Sequence, residues 1–455
     1  MEVQKVLEQA EKDEIKFITL QFTDLLGVIK EVIIPVEKLQ DALTDGVWFD
    51  GSSIEGFARI QESDLFLKPD MATYAVVPWL TEDGQTEGLD RIKPAFGRTA
   101  RLICDIYRSD GKPFEGDPRF ILKQAAAEAE KQGYEYNVGP EPEFYLFRTD
   151  DVKRTTPIDY GSYFDLSSHG GYKAIKKIIA ALENFAIEVE TSHHEVGFGQ
   201  YEIDFHYGHC LDIADKVVTL KYTAKKIAQM HNLHATFMPK PIMDKPGSGM
   251  HTHQSLFDIK TKTNAFYDKE HQYNLSKVAY NFIAGQIKHI NAMCAILCPT
   301  VNSYKRLVSG FEAPVYVTWA AMNRSALLRV PKWFRQRKEA ARIELRCPDP
   351  ACNPYLAFAV MLKAGLDGIK NDLQPPEPIE ENIYQLDGES LVKKNIGLLP
   401  TSLAEALDAL KKDKVLQETL GQHLFERYID VKTKEWDEFK KQVTNWEIDT
   451  YLDIF

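Results

Sequence analysis

Residues 139–147 read GPEPEFYLF. Glu141 and Glu143 lie two apart, and in a β-strand such residues project from the same face. The apolar run 144–147 predicts that a strand over 141–147 is buried. Two like charges on one face there repel unless something positive sits between them. A solvated acidic edge strand, to which Pro142 is suited, is the better account of these nine residues taken alone. The rest of the chain has to decide between the two.

Working outward, strand-like pieces at 200–207, 251–257 and 341–347 alternate with helical patterns at 173–185, 214–232, 275–297 and 354–371. This is the pattern of an α+β domain. Asp117 followed by Pro118 predicts an N-cap and first helical position, with the helix over 120–132 stopping at Gly133. The stretch QPPEPIEE at 374–381 predicts a surface loop, and a helical tail runs from 403 to about 443. Before residue 109 the character differs. Residues 15–23 alternate apolar and polar, 28–34 form a second strand-like run, and Asp24-Leu25-Leu26-Gly27 between them reads as a hairpin turn. Further strands are predicted at 74–79 and 100–107, with a loop over 81–97. The boundary falls near Ser109-Asp110-Gly111, giving a β-rich unit over 1–108 and a larger unit over 109–455.

The net charge of −12 lacks the basic face of a general nucleic-acid binder. No apolar run has the length of a membrane span, and the N-terminus has no apolar core of a secretory signal. The six cysteines, at 104, 210, 294, 298, 347 and 352, form no CxxC pair. Cys294 and Cys298 share a helical face, which fits core packing. A reducing cytoplasm is the expected compartment.

Three more stretches carry chemistry. In HHEVGFGQYE (193–202) two glycines break the run and imply a specific backbone path around Glu195 and Glu202. In PGSGMHTH (246–253) glycines precede His251 and His253, which share a strand face. In RIELR (342–346) Arg342, Glu344 and Arg346 share another. A cross-strand salt-bridge face explains the last; so does a metal ligand flanked by cations that hold phosphate and carboxylate. Arg306, Arg324 and Arg329 add positive charge, and Glu312 follows Gly310 in a loop. No phosphate-binding glycine loop of the Walker or dinucleotide type is present. Carboxylates and imidazole together are hard donors that suit Mg²⁺ or Mn²⁺.

Seven motifs in order, FDGSSI (49–54), GPEPEF (139–144), HHEVGFGQYEIDF (193–205), GSGMHTHQSLF (247–257), NSYKRLVSGFEAP (302–314), NRSALLRVP (323–331) and RIELRCPDPACNPYLAFA (342–359), resemble glutamine synthetase of the type I class. The resemblance runs from about residue 15 to the end. It implies an N-terminal β-grasp domain and a catalytic domain whose curved antiparallel sheet forms the active-site funnel. It implies one metal held by Glu143, Glu195 and Glu202 and another by Glu141, His251 and Glu344. Glutamate would be bound by Arg306 and Gly247, with Arg346 and Arg324 facing the γ-carboxylate and the phosphates of ATP. Arg329 and Arg342, with Tyr207, His253 and Ser255, would lie on the nucleotide side. Glu312 matches a flap glutamate, and Asp50 matches an ammonium-binding carboxylate supplied by a neighbouring subunit. The family makes glutamine from glutamate, ammonium and ATP through γ-glutamyl phosphate. It assembles as a dodecamer of two hexameric rings and is tuned by small-molecule effectors or a nitrogen-regulatory protein.

Some positions depart from the family pattern. Pro246 stands where Asn is usual, Ser309 where proline is common, and Glu339 where some relatives carry lysine. Tyr384 lies where some relatives are adenylylated, but in a different context. Arg59 resembles the feedback-sensing arginine of the shorter, non-adenylylated subclass. Two other readings are a ligase that joins glutamate to a polyamine or other amine, and a non-catalytic relative. The intact FDGSSI segment with Asp50 favours ammonium over the first. The six metal-ligand positions, all retained, stand against the second.

Overall fold

The hairpin predicted at Asp24–Gly27 is present: the Gly27 N–H donates to the Asp24 carbonyl at 3.0 Å. It joins β1 (Ile15–Thr23) to β2 (Ile29–Pro35) in antiparallel register. A computed structural model describes residues 2–54, 64–79, 97–149, 155–166, 169–310, 313–321, 323, 325–333, 337–381, 383, 391, 394 and 396–455. The first sheet continues with β3 (Val47–Asp50), β4 (Asp64–Pro69), β5 (Ala75–Val76) and β6 (Arg98–Arg108), in the order β2-β1-β6-β4-β3, with β5 against β6. β1 and β6 run parallel. Helices α1 (Val3–Lys12) and α2 (Leu39–Thr44) contribute Val6, Ala10, Leu39 and Ala42 to a core of their own with Ile18, Leu20 and Leu102. The strand expected over 74–79 is shorter, only Ala75–Val76 forming β5, after a helical turn at Met71–Thr73 capped by Asp70. The loop expected over 81–97 lies outside the described residues except for Gly97.

The larger sheet is built on β7 (Tyr134–Arg148), twice as long as expected. The strands that follow β7 in the chain are β8 (Val189–His194), β9 (Gln200–Phe205), β10 (Gly208–His209), β11 (Leu233–Thr236), β12 (Met250–Asp258), β13 (Tyr316–Val317), β14 (Trp319–Ala320), β15 (Leu328–Arg329), β16 (Ile343–Leu345) and β17 (Gly397–Leu398). The order is β14-β15-β16-β12-β7-β9-β8, with β10 and β11 also on β7; β13 pairs with β17 apart from this sheet. β12 takes residues 134–142 of β7, while β9 takes 143–145. Between β10 at 137–138 and β9 at 143, no described strand pairs with the far side of β7. That open flank is where proline, lacking an N–H, is tolerated in a central strand. Pro142 therefore marks an opening in the sheet and not its edge.

Helices pack behind this sheet: α3 (Pro118–Lys131), α4 (His169–Asn184), α5 (Cys210–Met230), α6 (Lys277–Leu297), the short α7 (Ser303–Arg306) and α8 (Pro354–Lys370). α3 starts as expected, with the Asp117 carboxylate accepting from the Arg119 N–H at 2.9 Å. The segment 374–381 has no regular structure, as expected. The tail expected as one helix divides into Leu403–Leu410, Lys414–Phe439 and Asn445–Tyr451. Asp413 caps the second and Thr444 forms a capping box on the third.

The two units meet through polar groups. The Asn353 side chain, at the start of α8, donates to the carbonyls of Asp24 and Leu25 at 3.1 and 3.3 Å. Arg119 is 3% exposed and binds Asp70 and Asp105 of the first unit and Asp215 of the second.

Candidate functional site

The open flank of β7 gathers acidic and cationic side chains by cross-strand register. Glu141 stands opposite His251, Glu344 opposite His253 and Arg329, and Glu202 opposite both Glu143 and His193. Facing residues lie close enough for their side chains to share one ligand. The first group is Glu141, His251 and Glu344, each offering a donor atom within 4.8 Å of the others. His251 Nδ1 lies 3.9 Å from Glu141 and 3.8 Å from Glu344. The second is His193, Glu195 and Glu202. His193 Nδ1 lies 3.4 Å from Glu195 and Nε2 3.1 Å from Glu202.

Glu143 lines the same cleft but is held differently. Its Oε2 accepts from Gln200 Nε2 at 2.8 Å and from the Gly249 N–H at 3.0 Å. His193 was not expected in this group. The sequence signal was there in the HHE run, but its use depends on the β8–β9 register imposed by the turn between them, which sets His193 against Glu202. The turn between these strands is fixed by Asp159. That buried carboxylate binds His194 Nε2 at 2.8 Å, the Gly199 N–H at 3.1 Å and the Tyr201 hydroxyl. Burial would raise Asp159, but the His194 and Tyr201 hydrogen bonds prevail and bring it to about 2.

The electrostatics require a cation. Burial, then Asp204, Glu143, Glu141 and Glu195, push the Glu202 carboxyl well above its ordinary range. Burial chiefly lifts Asp204 to about 7, with Glu141 adding to it against the Thr191 hydrogen bond. Glu344 goes the other way: burial would raise it, but His253, Arg346, His251 and Arg329 outweigh that and bring it to about 2. Burial and Arg346 lower His251 to about 3, so its imidazole is neutral, the form that binds metal. Two sets of three buried or half-buried donors with mutually repelling carboxylates therefore fit hard divalent ions.

Two adjoining clefts share Glu141 and Asp204. One, of about 440 Å³, holds both acidic groups with Gly247, Arg306, Arg329 and Arg346. Arg306 is buried and donates to the carbonyls of Cys347 at 2.8 Å and Arg346 at 3.1 Å. Glycine at 247 is required by space: a Cβ there would come 2.5 Å from the Pro239 carbonyl oxygen and 2.7 Å from Arg306 Cγ. Pro246 lines this cleft too, and its carbonyl accepts from the Tyr145 hydroxyl at 2.6 Å. The other cleft, of about 560 Å³, is lined by Tyr207, His253, Ser255 and Arg342, with Glu339 at its margin. His253 bridges the two, with Nε2 2.8 Å from Glu141 and Nδ1 3.3 Å from Arg342 Nε.

Asp50 is in neither cleft. It is exposed at the end of β3, accepting from Ser52 and Ser53. Glu312, Arg324, Arg59 and Tyr384 lie outside the described residues; Ser309 is exposed.

A small β-sheet unit joined to a large sheet that gathers two acidic groups and a set of arginines defines a metal-dependent enzyme that handles anionic substrates. The comparisons with known proteins make this specific. Residues 14–109 match the model for the glutamine synthetase β-grasp domain, and residues 115–451 match that for the glutamine synthetase catalytic domain. Curated relatives named glutamine synthetase include one from Clostridium saccharobutylicum, 47% identical over 453 residues, covering 99% of this chain and 98% of its own. Another, from Thermus thermophilus, is 48% identical over 452 residues, covering 98% of each. A solved GmaS/ADP complex superposes with a TM-score of 0.87 at 32% identity, covering 98% of this chain and 99% of that one. This chain belongs to the glutamine synthetase family.

Proposed function

We infer that this chain joins ammonia to the γ-carboxylate of L-glutamate, with ATP giving L-glutamine, ADP and phosphate. It is a glutamate–ammonia ligase of the bacterial and archaeal type I kind. The observation that carries the reading is the pair of three-donor groups sharing β7, with arginines on both sides.

A carboxylate is a poor electrophile, so the γ-carboxylate must first become an acyl phosphate. Two or more Mg²⁺ or Mn²⁺ ions, held at Glu141, His251 and Glu344 and at Glu195 and Glu202 with Glu143 or His193, would supply charge neutralisation for the phosphate oxygens. Arg306 and Gly247 bind glutamate, beside His251. Arg346 and Arg324 face the γ-carboxylate and the transferring phosphoryl group, where fixed guanidinium groups stabilise developing charge. Tyr207, His253, Ser255, Arg329 and Arg342 form the nucleotide side, in keeping with the ADP named for the solved relative. Glu312 closes over the intermediate and excludes water. Asp50 binds ammonium and takes its proton.

The domains divide at 108/109. Among the described residues Asp50 lines neither cleft, which supports an active homo-oligomer, a dodecamer of two hexameric rings, with Asp50 acting on the next subunit. The exposed apolar side chains of the last helix and the residues after it agree: Trp446 is 64%, Leu452 72% and Phe455 97% exposed. Among the described residues no helix is long and apolar enough to cross a membrane, and we place the enzyme in the cytoplasm. Feedback by glutamine would act through Arg59; an Arg59→Ala chain with unchanged glutamine inhibition would remove that assignment.

Phosphate release tests the activity. Purified chain with ATP, Mg²⁺ and glutamate should release phosphate with ammonium and not with putrescine. No release with ammonium refutes the reading, and release with putrescine alone replaces it with the amine ligase.

A further inference from the structure

The acidic clefts use hard donors. A cluster of the opposite kind lies directly behind Arg306. Cys294 and Cys298, one turn apart at the end of α6, meet Cys347, which follows β16. Each offers a sulfur within 4.8 Å of the other two, and all three residues are 0% exposed. They come from two separate elements, so helical periodicity alone does not explain the convergence.

Three thiolates around one ion at a metal–sulfur length of about 2.3 Å are spaced about 4 Å apart, so the trio closes on an ion with side-chain adjustment alone. Charge is also provided for. Three thiolates and a divalent ion sum to −1, and the Arg306 guanidinium, buried and donating to the Cys347 carbonyl, supplies +1. Asp349 lies beside the trio: its N–H donates to the Leu297 carbonyl at 3.1 Å, and its buried Oδ2 has no hydrogen-bond partner among the described residues. Packed thiols alone would need neither the shared focus of sulfurs nor the neighbouring buried cation.

We propose that Cys294, Cys298 and Cys347 form a three-thiolate site for a thiophilic divalent d¹⁰ cation of the Zn²⁺ or Cd²⁺ kind, separate from the carboxylate clusters. Soft sulfur ligands select such ions against Mg²⁺. Loading exchanges the three S–H protons, released to solvent, for one ion. The site anchors the backbone of Cys347, and through that carbonyl it anchors Arg306.

The test is a Cd²⁺ titration of the full chain, reduced and in excess Mg²⁺, followed by the thiolate-to-cadmium ultraviolet absorbance. The absorbance should rise to one Cd²⁺ per chain and stop, and Cd²⁺ should displace Zn²⁺ loaded beforehand. Cys347→Ser and Cys298→Ala should each abolish the step, whereas Cys104→Ser should keep it. Cadmium NMR of the unsubstituted chain gives a reading independent of any variant's folding: a resonance in the sulfur-ligated region supports the site. Absence of a one-equivalent step, its survival in both Cys347→Ser and Cys298→Ala, or a resonance only in the oxygen-ligated region overturns the proposal.

Discussion

Glu202 is 6% exposed and faces Asp204, Glu143, Glu141 and Glu195. A carboxyl raised on folding stabilises the fold below its unfolded pKa, and that stability is lost as pH rises through the folded one. For Asp204 the window runs from 3.8 to about 7. Without a cation the site therefore costs more as these groups ionise, and a bound ion removes that cost. The rise in Tm produced by Mg²⁺ should accordingly grow as pH is raised through about 7, which thermal melts with Mg²⁺ and with EDTA would show. An increment that shrinks with pH would contradict the raised carboxyls. Glu202→Gln separates stability from function. It keeps an acceptor for His193 but removes a repelling charge. The metal-free variant should gain about 1–3 kcal/mol in urea unfolding, while activity falls by about 100-fold or more.

Elements, more than residues, decide what the sequence could disclose. The acidic positions were legible because their spacing and motifs are local. The role of His193 was not, because its partner is set by the antiparallel register that the turn after His194 imposes on β8 and β9. Pro142 pointed to an edge strand, since proline is excluded from paired interiors; the relay of β7 from β12 to β9 leaves a gap that no local pattern announces. The tail shows the same limit. Its first break, at Lys411–Asp413, contains neither glycine nor proline. Asp413 both caps the next helix and binds His289 Nδ1 at 2.6 Å, so a tertiary contact ends the helix. The approach to β12 also carries a prediction. A Cβ on Gly249 would lie 2.6 Å from Arg306 Nη2, 3.1 Å from His251 Nε2 and 3.2 Å from Glu143 Oε1. All three are ends of side chains that can move, so Gly249→Ala should fold. Displacing them by an ångström costs activity on the order of 100-fold. Circular dichroism unchanged with that loss is the expected result, and full activity would show that these groups need no such precision.

At the scale of the molecule, the two units are joined by apolar contacts, such as those of Leu25 and Trp79, and by buried charge. Arg119 holds Asp70, Asp105 and Asp215 from both units, and its removal leaves Asp70 and the buried Asp215 without a paired cation while Lys123 stays on Asp105. Arg119→Met should cost about 3–5 kcal/mol in urea unfolding, and a loss below 1 kcal/mol would mean water replaces the guanidinium.

Assembly is the level at which one chain is silent, and Asp50 makes it testable. It lies exposed on β3, away from both clefts, while Glu202 stands inside one. If each active site takes Asp50 from one subunit and Glu202 from the next, two dead variants can rescue each other. Asp50→Asn and Glu202→Gln chains should each be nearly inactive alone. In mixed oligomers, a site that draws its Asp50 from a Glu202→Gln chain and its Glu202 from an Asp50→Asn chain is intact. Random mixing makes about a quarter of all sites so. Co-expression of the two should therefore restore about a quarter of normal phosphate release, and dilution that separates subunits should abolish it. Were both residues to act within one chain, no mixture could contain an intact site, and activity would stay at the level of the separate variants.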